Sequence, residues 1–363
     1  MKICLIGKNL TNFVLANVLA NKKLEVDIYY TSKLDLQKSD SPRTLAISNE
    51  NYTYLKKNKK KLNIKSWPTQ KINIYIEKKS SEKLYEFKNS NKNNFFLIKY
   101  NEIYNSFLKD LKKNKYINFI KSKKKSDLHL INKKYNLIIN TETKSNITKK
   151  FFSKKFEKNY YSSAYTLIIS HKKIKNNIAM QIFTKHGPLA YLPLSNFQTS
   201  IVFSYSGKNK IDYNEIKKKV VKFSNKYEIT KFGKIENFQL KFSSLRNYHY
   251  NNILSFGDLI HKVHPLAGQG FNMNIRDIKI LSEIIDAKIY LGLEIDSSVA
   301  SDFEKKTKHL NFIYGSGLDF IYNFFNLDNR LNNSISDPLF KLFRKNNILN
   351  NYATYFSDKG INI

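Results

Sequence analysis

The sequence predicts a mixed α/β (α+β) fold, with a parallel-sheet domain first, an inserted antiparallel-sheet domain and a helical C-terminus. Three observations carry this. A strand, a tight turn, a helix and a second strand are written into the first thirty or so residues. Long β-like stretches run from 161 to 205, and from 297 onward the pattern is helical with many aromatics.

Residues 2–7 (KICLIG) have a buried-strand pattern, 10–21 (LTNFVLANVLAN) have helical apolar spacing, and 25–30 (EVDIYY) form a second strand. Together they make a βαβ unit, whose crossover implies parallel strands. Lysine-rich segments at 56–65, 78–93 and 121–128 read as charged loops or helix faces, because apolar strands resume after each. Helical spacing returns at 101–114 and a buried strand at 135–140. The β-like stretches from 161 suggest an antiparallel sheet that covers something. A strand at 251–258 and a helix at 271–285 restore the first pattern, and no internal repeat is visible. These patterns assign residues 1–65, 93–150 and 240–290 to a discontinuous first domain. Residues 66–92 and 151–239 form the β-sheet domain, and 291–363 the helical region.

The chain has 363 residues, too many for one ordinary core, and 41% hydrophobic with 14% aromatic residues excludes disorder as the overall state. A formal charge of +34 raises the question of a nucleic-acid or anionic-membrane partner. Only five of the 63 basic residues are arginine (Arg43, Arg246, Arg276, Arg330 and Arg344), and lysine lacks the planar fork of a base reader. With asparagine and isoleucine abundant, this is the bias of an AT-rich coding sequence on a solvated surface. No specific nucleic-acid partner is expected; a weak pull toward anionic lipid is. The single cysteine, Cys4, excludes an internal disulfide framework and sits in an apolar strand. No signal-peptide pattern opens the chain, and no run approaches the ~18 apolar residues of a spanning helix. The expectation is a cytoplasmic protein, soluble or peripheral at the inner face of the membrane.

The chemistry is concentrated in 257–276, GDLIHKVHPLAGQGFNMNIR, which holds three of the eleven glycines in fourteen residues. Asp258 ends a strand, Pro265 lies in the following loop, and Gly268-Gln269-Gly270 opens a helix. Glycines at a helix start let backbone N–H groups approach an anionic or electron-rich ligand. An aspartate at a strand's carboxyl end can accept hydrogen bonds from a chain of sugar-like hydroxyls. A plain strand–loop–helix connection accounts for one glycine more readily than for three with the aspartate.

This segment resembles the second FAD-binding motif of the para-hydroxybenzoate-hydroxylase class of flavoprotein monooxygenases, and HPLAGQG is similar to the ubiquinone-biosynthesis branch. RTLAIS at 43–48, FTKHGPLAYLPL at 183–194, and GSGLDFIYNFF with SDPLFKLFRK within 314–345 resemble further segments of that branch, in the same order. The resemblance implies a Rossmann-like FAD-binding domain, with Gly7 in the first turn and Arg43, Asp258, Pro265, Gly268, Gln269, Gly270 and Asn272 toward the cofactor. Asp258 would take the ribityl chain and Gly268 to Gly270 the pyrimidine edge of the isoalloxazine. Arg43, an arginine in a lysine-rich chain, suits a bidentate grip such as one on phosphate, with a structural salt bridge the plainer alternative.

The chain departs from the family in its first motif. GxGxxG reads Gly7-Lys8-Asn9-Leu10-Thr11-Asn12, and the acidic residue expected at the end of the second strand is Tyr30. Ala-Asp-Gly-x-x-Ser reads Asn140-Thr141-Glu142-Thr143-Lys144-Ser145. Asn12 is expected to crowd the helix against the strand, which puts the AMP half of the site in question. His261 and His264 have no third metal ligand nearby in the sequence, so packing roles are expected. Ser48 and Ser145 lack a histidine–acid pattern, and the aromatics at 319–325 suit a helix core, a membrane patch for a lipid-tailed substrate being the other reading.

The implied activity is NAD(P)H- and O₂-dependent hydroxylation of a polyprenylated phenol in ubiquinone biosynthesis, under a sheet in which Pro193 and Leu194 face the ring and its tail. Other ubiquinone-biosynthesis proteins are the implied partners. The alternative left open by the damaged motif is an accessory scaffold subunit of a quinone-biosynthesis complex.

Overall fold

The computed structural model describes residues 1–31, 41–59, 64–77, 83–88, 93–122, 128–130, 135–207, 211–265 and 268–330. Along the chain run β1 (Lys2–Ile6), α1 (Leu10–Asn21), β2 (Glu25–Tyr30), β3 (Thr44–Ser48), α2 (Asn49–Asn58), β4 (Trp67–Thr69), β5 (Lys71–Ile76), β6 (Tyr85–Lys88) and β7 (Phe95–Lys99). Next come α3 (Tyr100–Leu111), β8 (Ile117–Lys121), β9 (Leu137–Asn140), α4 (Asn146–Phe151), β10 (Lys155–His171), β11 (Ile178–Thr184), β12 (Gly187–Pro193), β13 (Gln198–Ser206) and α5 (Tyr213–Lys222). The chain continues through β14 (Ile229–Phe232), β15 (Glu236–Leu245), β16 (His249–Tyr250), β17 (Ile253–Ser255), β18 (His261–Lys262), α6 (Gln269–Tyr290) and α7 (Ser297–Arg330).

The first sheet has the order β16-β17-β9-β1-β2-β8, parallel except for the β16–β17 hairpin at its edge. Its central strand β1 is apolar at every inner position because both faces are covered: Ile3, Cys4, Leu5 and Ile6 are all buried. Helix α1 is buried from Leu10 to Ala20, which is why it is apolar all round rather than striped. Helices α3 and α6 pack against it.

The second sheet has nine strands in the order β18-β15-β10-β13-β12-β11-β5-β6, with β14 beside β10. It is antiparallel apart from the β5–β11 pair. A small sheet β3-β7-β4 lies between, its Ala46, Phe95 and Leu97 packing with Leu192 of the large sheet. Helix α7 ties the two sheets together. Its Phe303 packs on Phe256, and Glu304 accepts the Tyr248 N–H at 2.8 Å. Further along, Phe325 stacks on Phe183 at 3.5 Å and Tyr322 meets Tyr160 at 4.9 Å.

The expected fold class is borne out. Helix α5 and strands β14 and β15 were not legible from the sequence, their apolar positions being interrupted by lysines. SDPLFKLFRK, at 336–345, lies outside the described residues. Among the described residues no helix is long and apolar enough to cross a membrane.

Candidate active site

The carboxyl ends of β1, β9 and β17 open on a cleft of about 760 Å³. One wall holds the turn Asn9–Thr11, the strand start Arg43–Ala46 and parts of 258–274. The large sheet forms the facing wall, with Gln181, Ala190, Leu192, Val202, Phe238 and Leu240.

The segment after β17 is held by its backbone. Phe256 donates its N–H to the Asn140 carbonyl at 2.9 Å, and Gly257 turns at φ 65°, where a Cβ would come within 3.2 Å of Thr11 Cγ2. Asp258 is thereby presented to the cleft, exposed, with Oδ1 accepting from Asn274 Nδ2 at 2.9 Å. Gly268 sits at φ 67° with its would-be Cβ 3.0 Å from that of Ala46, so a side chain there would be strained and crowded. No side chain caps the α6 N-terminus, which Gly268 opens. At Gly270 the Cβ direction meets only Val263, at 4.0 Å. The start of α6, without a side-chain cap, therefore places the positive end of a 22-residue helix at the cleft.

The start of α1 is built in the opposite sense. Asn9 caps it, accepting the Asn12 N–H at 3.0 Å, and the Tyr100 phenol stands beside Leu10 on the cleft. Asn12 is fully buried, and its Nδ2 donates to the carbonyls of Ile6 (3.0 Å) and Gly7 (2.9 Å) and to Thr141 Oγ1 (2.8 Å). Asn9 Nδ2 reaches the same Thr141 oxygen at 2.7 Å. Gly7, at φ 118°, faces Thr141 and Glu142; a Cβ there would lie 2.6 Å from Thr141 Oγ1 and 2.8 Å from Glu142 Oε1. The expected crowding by Asn12 is thus resolved as a hydrogen-bonded plug inside the turn.

Arg43 is exposed and lies over the Tyr100 ring at 4.2 Å; the Tyr100 N–H donates to the Arg43 carbonyl at 2.9 Å. Burial raises the Tyr100 hydroxyl above the usual tyrosine range, opposed by the Arg43 charge. The imidazole of His261 is buried against Asp277, while His264 lies between the rings of Tyr322 (4.1 Å) and Tyr160 (5.4 Å). Burial pushes the His264 imidazole down to about 3. Among the described residues no cluster of three or more His, Cys, Asp or Glu side chains could hold a metal ion.

Of the residues the sequence singles out, Arg43, Asp258, Pro265, Gly268 and Gly270 line the cleft. Gly7, Gln269 and Asn272 do not. Gly7 lies beneath the first turn, and Gln269 is buried with Oε1 accepting the Tyr314 hydroxyl at 2.8 Å. Asn272 faces inward. Its Oδ1 accepts the Ser48 N–H at 2.9 Å and its Nδ2 donates to the Ala46 carbonyl at 2.8 Å, so its amide joins α6 to β3. Nor do Pro193 and Leu194 face the cleft: Pro193 is buried, Leu194 packs toward Ala46, Phe95 and Leu97, and Leu192 and Ala190 take the cleft positions. Sequence reasoning missed Tyr100, Glu142 and Asn274. Glu142 had a signal in its place in the altered Asn140–Ser145 segment and Asn274 in lying within 257–276, whereas Tyr100 had none.

Residues 152–290 match a family described as an FAD binding domain. A ubiquinone biosynthesis monooxygenase of Dictyostelium discoideum is 35% identical over 104 residues, 28% of this chain and 20% of that protein. The 3-demethoxyubiquinol 3-hydroxylase of Escherichia coli is 26% identical over 171 residues, 45% of this chain and 44% of that protein. The matched stretches thus span less than half the length of these curated relatives. Among solved structures, p-nitrophenol 4-monooxygenase from Pseudomonas putida superposes with a TM-score of 0.72 at 12% identity, covering 99% of this chain and 98% of that one. A probable FAD-dependent monooxygenase from Pseudomonas aeruginosa gives 0.69 at 12% identity, covering 89% of this chain and 96% of that one. At these identities the structures share the fold.

Proposed function

We propose that this chain, a relative of the flavin-dependent hydroxylases of ubiquinone biosynthesis, is itself an FAD-dependent monooxygenase acting on the ring of a polyprenylated phenol. The observation that carries the reading is the start of α6, without a side-chain cap, and exposed Asp258 on one wall of the cleft, facing Leu192, Val202, Phe238 and Leu240 of the large sheet. These residues fit the isoalloxazine and ribityl parts of a flavin. Asp258 has one carboxylate oxygen held by Asn274 and the other available to a hydroxyl. The α6 N–H groups would stabilise negative charge at the pyrimidine edge.

Bound flavin would supply the redox chemistry, taking a hydride from NAD(P)H and passing one oxygen atom of O₂ to the ring while the other leaves as water. The chain's own tasks are to orient and to exclude water. Leu192, Val202, Phe238 and Leu240 give an apolar surface for a ring and its tail, with Phe95 and Leu97 beside them. The Thr69 hydroxyl, buried on the same cleft and without a hydrogen-bond partner among the described residues, is suited to a polar ring substituent. Contact with an anionic membrane, where such a substrate resides, is supported by the +34 charge and by Ile313, Phe320 and Leu327, exposed at seven-residue intervals on α7.

The closed first turn favours a second reading, an accessory subunit that has given up flavin. Purified protein supplied with FAD decides between them. A yellow complex that consumes NAD(P)H and places labelled oxygen from ¹⁸O₂ in a prenylated phenol supports the enzyme; colourless protein after desalting supports the subunit.

A further inference from the structure

The two helix N-termini that meet the cleft differ in a way that bears on which part of a flavin nucleotide is held. A diphosphate bound at the start of α1 needs backbone N–H groups that are open to it. Here the Asn12 N–H is engaged by Asn9 Oδ1, and the Tyr100 phenol stands beside the Leu10 N–H. Side chains fill the turn itself, where Asn9, Asn12 and Thr141 bond to one another and to the Ile6 and Gly7 carbonyls. The Glu142 carboxylate stands within 2.8 Å of where a Gly7 Cβ would be, and Glu142 lines the cleft beside Asn9 and Leu10. A carboxylate at that place repels a diphosphate. At the end of β2, Tyr30 offers no carboxylate to a ribose. At the other end of the site the start of α6 has no side-chain cap and Asp258 is exposed.

We infer that this chain holds its flavin by the isoalloxazine, the ribityl chain and the first phosphate, with exposed Arg43 as the phosphate partner, and draws almost no affinity from the adenylate. FMN should therefore bind about as tightly as FAD. This rests on the flavin reading above and specifies which contacts carry it. Tyr100 and Glu142 are the residues that close the adenylate end, since one places its phenol beside the Leu10 N–H on the cleft and the other supplies the opposing charge.

Isothermal titration calorimetry of the full chain with FAD, FMN and riboflavin tests it without relying on turnover. FAD and FMN dissociation constants within about fivefold of each other are expected, with riboflavin weaker than both. A preference for FAD beyond about fivefold overturns the inference and leaves the flavin reading standing. Heats absent for all three flavins overturn that reading and the inference with it. The double variant Tyr100→Phe with Glu142→Gln keeps both side-chain shapes while removing the phenol oxygen beside the Leu10 N–H and the Glu142 charge. It should tighten FAD relative to FMN by at least about fivefold. An unchanged ratio in that variant, with circular dichroism matching the parent chain, overturns the assignment to these two residues.

Discussion

The Nε2 of His261 lies 2.6 Å from Oδ2 of Asp277, and both side chains are almost wholly buried. The other oxygen of the same carboxylate accepts Asn311 Nδ2 at 3.0 Å. One buried group thus joins β18, α6 and α7 immediately behind the cleft. Asp277→Ala removes the acceptor of two donors, and each buried donor left unpaired costs about 1–3 kcal/mol. Urea denaturation should show a loss of at least about 2 kcal/mol, while a change within about 0.5 kcal/mol would mean that water replaces the carboxylate there.

Asp258 gives the functional counterpart. It is exposed, and its recorded side-chain partner is Asn274, so Asp258→Ala should leave the unfolding midpoint nearly unchanged. A hydrogen bond to a charged acceptor contributes about 1.5–3 kcal/mol, so flavin affinity should fall roughly tenfold or more. Calorimetry of the variant checks both parts, because equal affinity in a folded variant removes Asp258 from the ribityl contact.

What was legible in the sequence was what short-range pattern records. The apolar runs of 2–7 and 25–30, with the helix between them, specify a βαβ unit by periodicity alone, and β1, α1 and β2 lie where that pattern puts them. The start of α6 was legible because glycine is scarce here, so Gly257, Gly268 and Gly270 stand out; two of the three adopt positive φ. Side-chain direction within the motif was not legible. Gly270 faces the cleft and Asn272, two residues on, faces β3, a distinction set by packing against Ala46 and Ser48 more than 220 positions away. Tyr100 escaped notice for a similar reason. Only the folded chain brings the start of α3 to the start of α1, and no spacing relates residues 10 and 100.

Charge and exposed apolar residues on α7 lead to a membrane prediction. Ile313, Phe320 and Leu327 are each more than half exposed, and seven residues make nearly two helical turns, so they share one face. Each lysine near an anionic surface contributes about 1 kcal/mol, an interaction that salt screens. Liposome co-sedimentation should increase with the fraction of anionic lipid and decline in high salt, and Phe320→Glu should weaken it further at constant fold. Indifference to lipid charge would remove the electrostatic part, and indifference to Phe320→Glu the apolar part.

His264 makes the last prediction one about pH. Its ring is 1% exposed, packed between Tyr322 and Tyr160, and neither nitrogen has a hydrogen-bond partner among the described residues. Burial therefore disfavours the imidazolium and lowers its pKa from 6.5 to about 3, against a weaker opposing pull from the Asp319 carboxylate. The sign follows from proton counting. Between those two values the unfolded chain binds a proton at this site and the folded chain does not, so stability falls as pH falls. The contribution is complete above 6.5 and is lost at about 1.4 kcal/mol per pH unit below it, down toward 3. His264→Phe keeps a ring against Tyr322 and removes the titration. Urea denaturation at pH 7 and pH 5 should therefore show the parent chain losing roughly 2 kcal/mol more than the variant over that interval. Parallel losses in the two proteins would show that the folded chain admits a proton or water to this imidazole, in which case the Tyr160–Tyr322 sandwich opens under native conditions.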